Sequence, residues 1–455
     1  MRLDEFELPA LARVLPASLI REVLEQAEKG AKRQRKLPPE LVVWLVVGMG
    51  LFRRVRIESV LLHVAGWLKC VRWGPAEVPH GTSIAQARDR LGWEAVRALF
   101  RRLTSILHER TAVLTSWRGR EVYTLDGTCF MVPDTPENEA MFGRPRVTRG
   151  GTSGFPQLRA LMLVGVWTHV VADVVLGPYT LSEMRLADHL LERLRSGTVL
   201  LMDRAYYGFL WPASFVQRGV DFVIRMKIGT NTFRVTKRRR LGRGDWLCEM
   251  IRPDRLKKTN LPEQLKVRMI KCPRKGFRPV YVITSLTSEV DYPADEIVAL
   301  YRDRWEAELS YRELKTHLVG EKVSFRSKKP LRVLQEVYGL LIAYNCVRAL
   351  LCEAGHEAGV RPIQLSFVDA LEKIRSTLVA YVDSMKAFDL VARLGQCKLP
   401  KRRPGRRCER AVKIKFSSYP RKRKDRAAAP SPYINRARSR HARRRQRVER
   451  ATPAA

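Results

Sequence analysis

The sequence predicts an α/β protein in four parts: a helical region over 1–115, a sheet-bearing core over 116–395, a β-rich insertion inside that core at 228–285, and a basic tail over 396–455. Three observations predict it. Apolar residues recur at helical spacing through the first hundred or so positions. After Trp117 the pattern changes to short apolar and β-branched runs separated by turn residues. Charges at 301–315 then fall on one face of a helix. With 455 residues and a 45% hydrophobic share, the chain can bury one large core or several smaller ones.

In the first region, 17–29, 39–52, 57–68 and 83–109 are read as helices. The longest apolar run, 41–52, has 12 residues, too few to span a bilayer and suited to a buried helix, so no membrane partner is expected. Ser83 is placed to cap the fourth helix, which carries Ile84, Ala87, Leu91, Val96 and Phe100. Basic clusters at 32–36 and Arg53-Arg54 lie between or beside helices. A small DNA-binding domain has this composition, and so does a helical packing domain with solvated charges.

In the core, 121–131, 161–167 and 170–176 read as strands, the last two joined by a turn at Thr168-His169. A helix over 181–194 follows, then a short apolar strand at 199–202 that ends at Asp203. This order of three strands, a helix and a strand resembles the opening of a ribonuclease H-like sheet. A helix at 208–217 and a strand at 221–226 lead into the insertion. Its strands are read at 232–236, 246–250, 266–270 and 280–284, mostly antiparallel, with Lys237-Arg-Arg-Arg240 as a basic loop. Helices over 294–318, 331–353 and 367–381 close the core, with Pro330 suited to the start of the second. The tail, with Pro404, Pro420, Pro430 and Pro432, is expected to stay disordered until it meets a partner.

Formal charge is +39, from 85 Lys and Arg against 46 Asp and Glu. From Lys398 onward there are 22 basic and 3 acidic residues, so the tail carries +19 and the body is basic as well. Self-repulsion on that scale points to a polyanion partner, nucleic acid first. The opening Met1-Arg-Leu-Asp-Glu-Phe6 has no apolar segment and gives no secretory signal. Eight cysteines stand singly with no Cys-x-x-Cys pair, which argues against a zinc knuckle or redox pair and suits buried thiols in a reducing cytosol. The eight histidines lack the spacing of a zinc site or a nucleophile–base pair.

Tyr301, Arg304, Glu308 and Lys315 stand at relative positions 0, 3, 7 and 14. On a helix they fall within roughly 60° of one another. A carboxylate between two cations and a phenol suits a metal ion seated on a phosphodiester, although a salt-bridged solvated helix shows similar spacing. Asp126 lies within an apolar strand, where a lone charge is costly, and Asp203 ends a buried-looking one. Each could equally be a turn or cap residue, and Asp134, Glu137, Glu139, Asp173 and Asp188 compete with them. Phosphodiester hydrolysis at neutral pH needs an activated nucleophile and a neutralised leaving oxyanion. Two divalent ions about 4 Å apart supply both, held by carboxylates from different elements. Hard oxygen ligands select Mg²⁺, with Mn²⁺ as substitute.

These residues resemble the signature of the IS4 group of insertion-sequence transposases, within the DDE transposase superfamily. Its Tyr-x2-Arg-x3-Glu-x6-Lys pattern is met by Tyr301, Arg304, Glu308 and Lys315 with every spacing kept. Its first aspartate, in an Asp-Gly/Ala-Thr-like context, falls on Asp126. The second, in an Asp-Arg-Gly/Ala-Tyr-like context, falls on Asp203 within Asp203-Arg-Ala-Tyr206. The resemblance covers roughly 8–350 and implies a ribonuclease H-like catalytic core interrupted by a β-strand insertion.

It also implies metal-dependent, cut-and-paste transposition and a set of roles. Asp126, Asp203 and Glu308 would be catalytic metal ligands, Arg304 and Lys315 would hold phosphates, Tyr301 would orient a phosphate or Glu308, and Arg204 would meet the DNA backbone. Trp246 and Tyr281 are the candidates for an aromatic that holds a flipped base during hairpin formation. Implied partners are double-stranded DNA with terminal inverted repeats, target DNA, and a second copy of the chain in a paired-end complex. The implied setting is the bacterial cytoplasm, on nucleoid DNA. A nuclease of the same fold that cuts without joining and a catalytically silent DNA-binding descendant are the rival readings.

Overall fold

A computed structural model of the chain describes residues 11–30, 36–67, 78–147, 151–227, 234–273, 279–320, 323–380, 391 and 394–399. Among the described residues the N-terminal region holds four helices, α1 (Ala17–Gln26), α2 (Pro39–Leu51), α3 (Ile57–Trp67) and α4 (Gly81–Thr115). Every residue of α2 from Leu41 to Leu51 is buried, as its unbroken apolar run requires. The start of α4 differs from expectation. His80 is the N-cap, its Nδ1 accepting from the Thr82 N–H at 3.5 Å, so Ser83 lies inside the first turn instead of capping it. Gly92, at φ +77°, kinks this helix where a side chain would be strained.

The core begins with β1 (Ser116–Trp117) and β2 (Arg120–Met131), followed by α5 (Pro136–Phe142). Strands β3 (Arg146–Val147) and β4 (Gly151–Thr152) pair only with each other among the described residues. They belong to a unit distinct from the one that holds the rest of the core. Next come β5 (Gln157–Gly165), β6 (Val171–Pro178), α6 (Glu183–Leu191), β7 (Thr198–Met202), α7 (Leu210–Val216) and β8 (Asp221–Arg225). Four more strands follow: β9 (Val235–Gly242), β10 (Asp245–Ile251), β11 (Gln264–Cys272) and β12 (Val280–Thr284). One mixed sheet contains ten of these strands in the order β6-β5-β2-β7-β8-β12-β11-β10-β9, with β1 on β2. Among the described residues, the parallel pairings are β2 with β7 and β7 with β8.

The strands of 228–285 are therefore continuous with the rest of the sheet. Ile283 of β12 pairs with Ile224 of β8, and β11, β10 and β9 extend outward from there. The cluster Lys237-Arg-Arg-Arg240 is part of β9 and not a loop. As the outermost strand among the described residues, β9 pairs there with β10 alone, and its cations stay in water along the sheet edge.

Alternation along β2 assigns the two faces of the sheet. Tyr123 and Leu125 pack with α6 and α7, while Val122 packs with Val199, Leu201 and Val223 beneath α8 (Ala294–Asp303). After α8 the chain continues through α9 (Trp305–Arg312) and a π-helical segment (Glu313–Val319) to α10 (Pro330–Glu357) and α11 (Phe367–Ala380). Pro330 occupies the first turn of α10, as expected. A Cβ on Gly339 would lie 2.4 Å from a Val46 methyl, so this glycine lets α10 run against α2. α10 has the length and composition to cross a membrane, yet 94% of its apolar stretch is buried inside the protein. Of the six cysteines described, only Cys129 is not fully buried, in keeping with structural thiols.

Candidate active site

Two parallel strands bring the first two acids together. Thr124 of β2 pairs with Leu201 of β7 at the last rung of that ladder, Asp126 and Asp203 each lie two residues farther along, and the Asp203 carboxylate acts on Asp126. Neighbouring strands lie about 4.8 Å apart. Residue parity puts both side chains on the face of Val122, Val199 and Leu201, which α8 covers. Asp203 keeps extended backbone angles, and its Oδ1 accepts the Ala205 N–H at 2.6 Å, opening a short 3-10 turn at Arg204–Tyr206. Asp126 Oδ1 accepts the Gly127 N–H at 2.8 Å.

Burial pushes the Asp126 carboxyl up to about 6; the Gly127 N–H opposes this, the Glu183 and Asp203 carboxylates reinforce it, and Arg304 again opposes it. Three of the residues named from the sequence thus share one electrostatic neighbourhood. Tyr301 joins them: burial raises its phenol, and Arg304, Arg225 and Asp203 act on it. Arg304 Nη2 donates to Glu308 Oε1 at 3.3 Å, and Glu308 remains 43% exposed at the side chain, open to solvent or a ligand. Tyr311, on the same helix, donates its hydroxyl to the Asp126 carbonyl oxygen at 2.6 Å and fastens α9 to β2. Lys315 is exposed and lies in the field of Cys129, three residues along β2 from Asp126. Arg204 is exposed next to Asp203.

The helix carrying this stripe is not one regular α-helix. A tighter turn at Arg304 separates α8 from α9, and winding loosens to π from Glu313. Trp246 and Tyr281 sit in the outer sheet. Trp246 stacks against Lys237 Nζ, 4.5 Å from the ring centroid, with Arg240 at 5.9 Å. Tyr281 lies on β12, where its carbonyl accepts from Met226.

Glu183 is a neighbour that the sequence did not single out. It pairs with Arg159 at 3.0 Å and acts on both Asp126 and Tyr206. Gly127 makes room for it, since a Cβ there would fall 2.3 Å from its carboxyl carbon. Following Ser182, which caps α6, Glu183 reads locally as an ordinary first-turn acid, and that reading hid it. Tyr206 is buried beside the same acids, and its hydroxyl has no hydrogen-bond partner among the described residues.

Among the described residues, no three His, Cys, Asp or Glu side chains are gathered closely enough to hold one ion together. Arg304 engages Glu308 instead. The donor set still fits a hard divalent ion in kind. Two aspartates within each other's field offer only oxygen, and burial with like charge holds one of them near 6, a cost that a cation relieves.

A stability prediction follows from the sign of that shift. Because the folded pKa is raised, the contribution of Asp126 is fully present below the ordinary carboxylate range and is lost as pH rises through about 6. In chelator at pH 7.5, Asp126→Asn should melt higher than the parent by roughly 2–4 °C, with the gap closing toward pH 4. Melting curves across that range check it, and an equal or lower midpoint at pH 7.5 contradicts it.

Two family models match the chain: Insertion element 4 transposase N-terminal over residues 5–101 and Transposase DDE domain over 117–346. Transposase InsG for insertion sequence element IS4, from Escherichia coli (strain K12), is 32% identical over 425 residues, covering 91% of this chain and 93% of the relative. The chain belongs to the IS4 family of DDE transposases. InsZ of the same Escherichia coli strain, a putative transposase by name, is 26% identical over 200 residues, 43% of this chain and 63% of its own. The cryo-EM structure of a piggyBac transposase synaptic complex with hairpin DNA covers 88% of this chain and 86% of its own at 11% identity, with a TM-score of 0.41, a likeness too slight to argue from. Membership in the IS4 family carries the general activity, DNA transposition, and its matched DDE domain includes Asp126, Asp203 and Glu308.

Proposed function

We propose that this IS4-family transposase cuts the ends of its element and joins them to target DNA through a ribonuclease H-like core in which Asp126, Asp203 and Glu308 hold divalent metal, Mg²⁺ or Mn²⁺. The observation that supports the reading is the shared electrostatic neighbourhood of Asp126, Asp203 and Arg304 on adjacent parallel strands and the helix beyond them, where Arg304 also pairs with Glu308. When bound there, the ion supplies positive charge that favours hydroxide at neutral pH and neutralises the departing 3′ oxygen. Arg304 and Lys315 hold phosphates near the cut, Tyr301 orients a phosphate or the Glu308 carboxylate, and Arg204 meets the strand backbone. Such interactions position DNA, while recognition of the terminal inverted repeats needs base-edge or shape readout, which we assign to the helical region over 1–115.

In sequence, water cuts one strand and frees a 3′-hydroxyl. That hydroxyl attacks the opposite strand, forming a new phosphodiester as the old one breaks and closing a hairpin. Water reopens the hairpin, and the same hydroxyl then joins target DNA. Two copies of the chain would hold the paired ends, in the cytoplasm on nucleoid DNA. Incubating the protein with end duplexes and Mg²⁺ tests this: nicked, hairpin and joined products are expected, all lost in chelator. Cleavage that persists in chelator refutes the metal reading. Cutting without joining of precut ends favours a nuclease, and binding without cutting favours a silent descendant.

Residues 400–455 lie outside the described residues, but their charge bears on binding. Deleting 398–455 should weaken binding to any duplex and flatten its dependence on salt, because every phosphate that the protein no longer neutralises lowers the log–log slope by about 0.9. Affinities measured across a salt series check this, and an unchanged slope removes the tail from the DNA interface.

A further inference from the structure

The turn between β5 and β6 touches the signature helix from behind. Trp167 Nε1 donates to Asp303 Oδ2 at 2.9 Å. His169 Nε2 lies 3.3 Å from Glu306 Oε2, and its Nδ1 lies 3.2 Å from Glu313 Oε2. Glu313 also accepts from the Tyr344 hydroxyl at 2.9 Å and from Arg348 Nε at 3.0 Å, both on α10. The turn is itself fixed to α10, since the Asn345 amide accepts from the Val171 N–H and donates to the Val171 carbonyl, each at 2.9 Å.

At about 100° per residue, Asp303, Glu306 and Glu313 fall on nearly the opposite side of the helix from Tyr301, Arg304 and Glu308. One short turn therefore bonds Asp303 and Glu313 and stands close against Glu306, along the rear of the element whose front carries the signature. His169 adopts φ +57°, a left-handed conformation uncommon for a residue with a side chain. Such strain persists where surrounding interactions over-determine it. The π winding begins at Glu313, the last of those acids. Loosened turns of this kind recur at functional sites.

We propose that Trp167 and His169 are positioning residues, forming a clamp that sets the rotation of the signature helix so that Arg304 and Glu308 face Asp126 and Asp203. This rests on the catalytic reading of Glu308 given above, because rotation matters to cleavage only if the front of the helix does the work. A misplacement of about 1 Å can cost on the order of 100-fold in rate without touching substrate.

The test compares single-turnover cleavage rates and end-DNA affinities of the full chain with Trp167→Phe, which removes the N–H together with part of the ring, and His169→Asn, which tolerates the left-handed backbone but shortens the reach. Each should slow cleavage by roughly 10–100-fold while the Kd for end DNA changes less than about twofold. Asp303→Ala should reproduce Trp167→Phe, and the double variant should be no slower than either single, because both remove one bond. Unchanged rates overturn the clamp, as do losses that track the folded fraction seen in melting curves, or a double variant whose losses multiply. Glu308→Gln, run in parallel, separates the two readings. If it is inactive while Trp167→Phe cleaves normally, only the clamp fails; if it cleaves, both fall.

Discussion

Asp126→Asn, Asp203→Asn and Glu308→Gln should each lower strand cleavage by about 1000-fold or more, the upper end of what one preorganised electrostatic group contributes. Binding to the element end should stay close to that of the parent chain. The asymmetry has a physical origin. Affinity for duplex DNA comes from many cations spread over a chain of net charge +39, and none of these substitutions removes one. Chemistry, by contrast, depends on charge at one place. Each substitution keeps the shape of the side chain while removing its negative charge, and a neutral amide is a poor ligand for a hard cation.

The three should differ in their effect on the protein itself. Asp126 lies among other carboxylates, so its amide relieves repulsion in the absence of metal. Glu308 is exposed and paired with Arg304, so its amide should leave the melting temperature almost unchanged. Cleavage near the parental rate by any purified variant would remove that residue from the metal site. Loss of binding in step with cleavage would instead point to a role in holding DNA.

What can be read in the sequence is local. The apolar runs of β2 and β7 mark strands, and Asp126 and Asp203 each stand two residues past the parallel ladder that joins them. The parts that sequence does not show depend on partners distant along the chain. Glu313 departs from α-helical winding in a segment held by Arg348 and by His169, which is 144 residues away. Arg53 reads as half of a solvated basic pair, but its guanidinium is turned inward to Glu336, 283 residues along the chain. The charges of β9 read as a loop because sequence patterning cannot tell that a strand lies at the edge of a sheet, where a charged face stays in water. Glu183 is hidden for a different reason: a helix start explains an acid at that position without any need of a site.

Glu336→Gln should destabilise the fold by roughly 3–5 kcal/mol, the scale for breaking a buried ion pair from one side. Glu336 is fully buried on α10. It pairs with Arg53, and it accepts the Ser327 hydroxyl at 2.7 Å and the Ser327 N–H at 3.1 Å. Arg326 reaches it at 3.6 Å while its own guanidinium donates to the Val55 and Met49 carbonyls at 2.6 and 2.5 Å. Arg88, from α4, adds bonds to Gln335 at 2.8 Å and to the Ser327 hydroxyl at 3.0 Å. One carboxylate therefore answers three guanidiniums drawn from α4, the end of α2 and the segment before α10. Removing its charge leaves those cations facing one another away from water. Burial pushes the Glu336 carboxyl up, but Arg53, Arg88 and Arg326 outweigh it and hold the group below the ordinary range. With a depressed pKa, its contribution is present above the ordinary carboxylate value and is lost as pH falls through the folded one. Glu313, held at about 2 against burial by Arg348 and His169, adds to the same acid limb. Acid unfolding should thus steepen below about pH 4, and Glu336→Gln should flatten part of that slope as well as lowering the midpoint at neutral pH. Denaturant titrations at pH 7 and pH 3 measure both effects. A variant equal to the parent at pH 7 would mean that the arginines find water or other partners, and that α10 is held to the N-terminal helices by its apolar faces alone.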